Sequence, residues 1–197
     1  MAERKSPELR REEILDAAIR LIARKGFTAV TVREVASEAG VVHGLLRHYF
    51  AGRDELMAAA FERAVHDEMD APLEIDDPAR DLVEWVSATD REHYLVWIDA
   101  WSEAPRNPAL REALDRHHRD CESRLGALIE AGNASGVFAA PDPAAAAKTI
   151  TALGDGIAVQ IYSLGLMDED AGLLALLAAA ETTLGMESGA LRAVPTR

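Results

Sequence analysis

A chain of 197 residues, 49% of them hydrophobic, has enough apolar material for a sizeable core in one or two domains, and 5% aromatic content with abundant Ala and Leu points to helices. The single Cys121 excludes an intrachain disulfide and fits a reducing cytoplasm, and no apolar run approaches the ~20 residues that span a bilayer. The start Met-Ala-Glu-Arg-Lys leads into no apolar signal core, so the expectation is a soluble, cytoplasmic protein with no membrane partner.

Ser6-Pro7 opens the first predicted helix, residues 7 to 25, as a cap followed by Pro at the first helical position. Gly26 closes it, and Phe27 just beyond can pack back on Ile22. Thr31 and Glu34 form a T-x-x-E capping box that starts the second helix, 32 to 39, where Val32, Val35, Ala36 and Ala39 make one apolar stripe. Gly40 stands where a helix end needs a left-handed residue. The third helix, 43 to 50, then carries Leu46 and Phe50 on one face and His43, Gly44, Leu45, Arg47 and His48 on the other.

Two short helices broken at a glycine are the layout of a helix-turn-helix DNA reader. In a major groove, Arg47 suits a guanine edge and Leu45 a thymine methyl. The plainer alternative is a pair of amphipathic helices in a bundle.

Further helices are predicted at 53 to 70, 78 to 89, 91 to 104, 108 to 131, 143 to 164 and 169 to 184, with the cap-Pro signal repeated at Asp77-Pro78, Asn107-Pro108 and Asp142-Pro143. No segment alternates as a strand, so the fold class is all-α with about nine helices. Residues 70 to 77 and 132 to 141 read as loops, and Met186 to Arg197 as a frayed, disordered tail.

The formal charge of −13 argues against DNA binding until it is divided along the chain. Residues 1 to 55 hold ten Lys or Arg against nine Asp or Glu, while residues 56 to 197 hold eleven against twenty-five. The reading head is weakly cationic, through Arg4, Lys5, Arg10 and Arg11 and then Arg24, Lys25, Arg33, Arg47 and Arg53, so loose attachment to DNA should be modest and salt-sensitive.

Aromatic surface concentrates at Trp85, Tyr94, Trp97, Ile98 and Trp101, with Glu84, Asp99, Glu103 and Asp155 as carboxylates near them in sequence or one helix pair later. Such a set can cage an organic cation, although a generic apolar effector pocket is the simpler expectation. His117 and Cys121 stand one turn apart, and His66 and His93 are the further histidines to complete a metal site, but a solvated helix face accounts for them and no metal or cofactor is expected.

The last two predicted helices carry Ile150, Leu153, Ile157, Ile161, Leu173 and Leu177, more apolar surface than one small domain needs. Two such hairpins, with Ala residues and Gly154 allowing close approach, would build a four-helix dimer interface.

Over residues 9 to 56 the chain resembles the DNA-binding domain of TetR-family transcriptional repressors. Ile14, Ala17, Ala18, Gly26-Phe27, Thr31-Val32, Ala36, Ala39-Gly40-Val41, Gly44, Leu46, His48-Tyr49-Phe50, Arg53 and Glu55-Leu56 fall in register. The resemblance implies phosphate contacts from Thr31, Arg33, Tyr49 and Arg53. Val42 departs from the pattern where Ser or Thr normally caps the reading helix, Arg47 where an aromatic is common, and His43 where Lys is frequent.

Residues 85 to 185 resemble the C-terminal domain of BetI-like members, through Trp97, Trp101, Ala104, Asn107 to Arg111, Arg124-Leu125, Gly136 to Phe138 and Asp155 to Gln160. The expected domains are a reader over 1 to 52, an effector-binding and dimerisation domain over 53 to 185, and the tail. The function expected is a homodimeric, ligand-released repressor of a pseudo-palindromic operator. A helical adaptor that keeps the DNA module as structure is the alternative. No Gly-rich phosphate loop, paired-Cys motif or H-E-x-x-H spacing suggests an enzyme.

Overall fold

The computed structural model describes residues 6–70, 74–87 and 91–195, apart from the side chains of 66–70, 92 and 93. The arm residues Arg4 and Lys5 and the side chains of His66 and His93 lie outside the described residues. Among those described there is no strand. The α-helices run α1 (Pro7–Lys25), α2 (Val32–Glu38), α3 (His43–Leu46), α4 (Arg53–Asp70), α5 (Pro78–Ser87), α6 (Arg91–Glu103), α7 (Pro108–Ala134), α8 (Pro143–Ala158) and α9 (Glu169–Thr183).

The starts follow the caps. Ser6 accepts from the Leu9 amide, Asp142 from Ala145 and Asp168 from Ala171, each satisfying a first-turn donor that has no partner inside its helix. Asn107 does the same for Leu110 while its amide group donates to the Asp54 carbonyl, tying the start of α7 to α4.

The ends show where periodicity misleads. The third helix stops at Leu46, not residue 50, because the His48 and Tyr49 amides bond back to the Leu45 and Leu46 carbonyls in tightened turns. The eighth leaves α geometry at Ala158 and continues as one π turn, Val159–Ser163, in which the Leu164 amide reaches the Val159 carbonyl.

The chain divides into two compact units, residues 1–71 with 96–117, and residues 72–95 with 118–197. In the first unit Ile14, Ala17, Ala18 and Leu21 of α1, Val35 and Ala36 of α2, Leu46, and Leu56, Met57, Ala60 and Phe61 of α4 share one core with Trp97, Ala100 and Leu110. Residues of α6 and the start of α7 thus complete the core behind the reader. The second unit packs Leu82 and Val83 of α5, Leu125, Leu128 and Ile129 of α7, Ile150 and Ile157 of α8, and Leu176, Leu177 and Ala180 of α9.

The tail corrects the expectation of disorder. Leu191 is fully buried within a 3₁₀ turn, Leu191–Ala193, and the carboxylate of buried Glu181 accepts the Gly189 and Leu191 amides at 2.7 and 2.9 Å. One apolar side chain and one carboxylate hold a segment whose composition reads as loose.

Candidate nucleic-acid interface and effector pocket

The reading head is assembled from local bonds. Both halves of the capping box form: the Glu34 amide donates to Thr31 Oγ1 at 3.3 Å and the Thr31 amide to Glu34 Oε2 at 3.0 Å. α2 ends in a Schellman motif, with Gly40 at φ 65°, its amide on the Ser37 carbonyl and the Val41 amide on the Ala36 carbonyl. That left-handed glycine turns the chain into α3. Val42, 74% exposed, offers α3 no side-chain cap.

Leu46 and Phe50 point into the core, so the other face of this segment is turned to solvent: His43, Gly44, Arg47 and His48 are exposed, and Leu45 and Tyr49 half-buried. Thr31 and Arg33 at the start of α2 are exposed as well. Arg33 and Arg47 make no hydrogen bond or ion pair with a described residue. Other cations are committed. Arg20 and Arg24 bond Glu38, and Lys25 bonds Glu34. Lys25 first, then the Thr31 hydroxyl and amide, bring the Glu34 carboxyl down to about 2.

Arg53 departs from its expected place. Its Nε donates to the Val30 carbonyl at 3.0 Å, its Nη2 to the Phe27 and Thr28 carbonyls, and its Nη1 to Glu103 Oε1 at 2.7 Å. Its guanidinium donors are thus largely used inside the protein. Asp99 and Glu103, placed by sequence beside an aromatic ligand cage, instead bond the turn between α1 and α2.

The residues expected to form an aromatic cage are divided between the two units. Trp97 and Trp101 sit in the first unit's core, with Trp97 edge-on to Phe61 at 5.0 Å and 6.0 Å from Trp101. The His117 ring meets Phe61 and Trp97 edge-on, which removes it from the solvated face expected of it. Ile98 is half-buried. Trp85 belongs to the second unit, where Arg124 lies over its ring at 5.9 Å. Asp155 faces His118 at 3.5 Å, and burial raises its carboxyl to about 6 despite that histidine, with Glu122 adding to the rise. Among the described residues no group of three or more His, Cys, Asp or Glu converges as a metal site would.

A cavity of about 190 Å³ does form within the second unit. Tyr94 stacks on Tyr162 at 5.5 Å along its wall, Glu169 and Asp170 from the start of α9 contribute carboxylates, and Val86, Ile157, Ile161 and Leu173 supply apolar surface. Of the predicted effector residues only Tyr94 lines it. Sequence reading passed over Tyr162, whose signal was an aromatic near a helix end, and the π turn that carries it.

Of the six dimer candidates, Ile150, Ile157 and Leu177 are spent in this core, and Ile161 and Leu173 are half-buried, leaving Leu153 exposed. Close helix approach occurs within the chain at Gly172, where a Cβ would stand 2.6 Å from Ile161. Around Gly154 side chains keep ordinary van der Waals distances.

Residues 14–60 match the family described as bacterial regulatory proteins, tetR family, and residues 76–185 match the C-terminal domain of the BetI-type transcriptional repressors. The chain belongs to the TetR family. This TetR regulator is 30% identical to the transcriptional regulator BetI of Brucella anthropi over 132 residues, 62% of this chain and 68% of that one. Its fold is similar to a transcriptional regulator from Saccharomonospora viridis solved with choline, at 26% identity and TM-score 0.71, covering 90% of this chain and 96% of that one. It is also similar to the multidrug-binding protein EbrR solved with proflavin, at 30% identity and TM-score 0.62, covering 86% and 99%.

The protein is therefore a ligand-responsive, DNA-binding transcriptional regulator, from a family of regulators and not of enzymes. The adaptor alternative is not favoured. No helix among the described residues is long and apolar enough to cross a membrane.

Proposed function

We propose that this regulator is a homodimeric repressor, acting in the cytoplasm, that binds a pseudo-palindromic operator and is released when a small organic cation enters the cavity of its second unit. The observation that carries the DNA half is the outward face of residues 43 to 49, with Arg47 uncommitted and His43, Gly44 and His48 exposed while Leu46 and Phe50 anchor the segment from behind. Arg47 and Leu45 are the base-reading candidates, and Thr31, Arg33, His43, His48 and Tyr49 meet phosphates or groove edges.

Twofold pairing is supported by an exposed small-residue and leucine stripe on each of the last two helices. Ala145, Ala152, Leu153 and Gly156 share one side of α8, and Ala171, Leu174, Ala175 and Ala178 one side of α9. Leu174 is 48% exposed, and such surfaces suit a four-helix bundle between subunits.

The cationic effector is supported by the stacked tyrosines and two carboxylates of the cavity, a set that attracts positive charge. The relatives solved with choline and with proflavin agree with that choice. Effector and operator would favour different conformers, so each weakens the other equally.

The deciding experiment is selection from a random duplex pool by the purified protein. A palindromic consensus whose complex choline or proflavin dissociates supports the whole reading. Enrichment insensitive to either compound retains the DNA half and removes the cation, and no enrichment at low salt removes the operator assignment.

A further inference from the structure

Two carboxylates on α6 grip the turn that feeds the reader. Asp99 and Glu103 are four residues apart, so both leave the helix on one side. The Phe27 amide donates to Asp99 Oδ2 at 2.6 Å, and the carboxylate lies so close over Gly26 that a Cβ there would stand 2.9 Å from it. The Thr28 hydroxyl donates to Glu103 Oε2 at 3.0 Å. From the first residue of α4, Arg53 closes the arrangement by bonding Glu103 and the carbonyls of Phe27, Thr28 and Val30.

The next residue along is Thr31, which caps α2. A turn held at one amide, one hydroxyl and three carbonyls fixes where α2 begins, and the Schellman turn at Gly40 then fixes α3 relative to α2.

We propose that Asp99, Glu103 and Arg53 are positioning residues for operator binding: they set the pose of α2 and α3 from behind and touch no DNA themselves. The inference rests on α2 and α3 being the DNA reader. Glu103 is 4% exposed, and an Arg53 that swung out to a phosphate would leave that buried carboxylate to the more distant Arg106, at 3.6 Å and largely exposed. Removing Arg53 from a carboxylate this buried carries a desolvation cost that an exposed phosphate contact has to offset. Burial alone would push the Glu103 carboxyl up, but the bonds from Arg53 and Thr28 hold it below the usual carboxylate range.

The test uses the full-length chain with Arg53→Gln, Glu103→Gln and Asp99→Asn, and two probes: the duplex selected by the wild type and a scrambled duplex of equal length. Affinity is measured for both across a salt series. Each substitution is expected to lower specific affinity about five- to tenfold. Non-specific affinity should hold, so the ratio between duplexes falls, and the slope of log K against log salt should stay that of the wild type. If Arg53 instead neutralised a phosphate, its substitution would reduce the slope by about 0.9 per protomer, and that result overturns the proposal.

Equal losses on both duplexes would reduce these residues to maintaining the folded fraction, which also overturns it. Should Glu103→Gln fail to fold, Thr28→Val removes one hydroxyl alone, and an unchanged ratio there is equally decisive against positioning. A wild type that selects no duplex defeats the reader assignment itself. Selection by the wild type with unaffected variants defeats this inference alone.

Discussion

Two cations with the same formal charge have opposite situations. Arg47 projects from the reader with no described protein partner, whereas Arg53 is enclosed by carbonyls and Glu103. Arg47→Ala should therefore lower specific operator affinity by about 1–3 kcal/mol and relax base preference at one position of each half-site. Binding curves on single-base variants of the selected duplex check this, and uniform weakening over all variants would show Arg47 on phosphate instead. Asp155 is the titrating group to watch. Its folded carboxyl, at about 6, lies above the usual unfolded value of about 3.9, so the folded state holds that proton more tightly. The stability it contributes is complete below the unfolded value and is lost as pH rises through about 6. Asp155→Asn should flatten the fall in urea midpoint between about pH 4 and 6.5 and exceed the wild type at pH 7.5, whereas parallel pH profiles would contradict the assignment.

At the scale of elements, the two reader helices differ in how well they are started. α2 has its complete capping box, and Thr31→Ala should destabilise the protein by about 1 kcal/mol in denaturant unfolding. α3 lacks a cap at Val42, so Val42→Ser should gain about 0.5–1 kcal/mol and lengthen amide protection through His43 to Leu46. An unchanged exchange rate there would mean that tertiary packing through Leu46 and Phe50, and not the cap, sets the order of α3. The caps were legible from sequence because a cap is a bond between residues three apart. The early end of α3 and the π turn after Ala158 were not, because both depend on what the following residues pack against. Tyr162 enters the cavity wall on that π turn, out of step with the helical period that sequence reading assumes.

For the whole molecule, the acidic charge and the dimer expectation meet. A net charge of −13 per chain opposes attachment to DNA, and the proposed pairing of two readers on one operator would offset that opposition. Leu174→Glu with Leu153→Glu should give monomers in sedimentation velocity and lose most operator affinity while helical content stays near wild type. A dimer that survives both charges would place the interface elsewhere. These residues replace Ile150, Ile157 and Leu177 as the ones to test, since those three belong to the chain's own core.

The sequence by itself determined the helices, their starts, the Gly40 break and the resemblance of the reader, because caps, apolar periodicity and turn residues act over a few positions. Tertiary structure alone decided which like-seeming residues went where. Asp99 and Glu103 went to the reader's turn instead of a ligand, Trp97 and Trp101 to a core, Tyr94 and Tyr162 to a cavity wall, and the tail to Glu181. Each of these partnerships joins residues from different elements or across a helix irregularity, and local patterning carries no information about which of several equivalent carboxylates or aromatics a distant turn will meet.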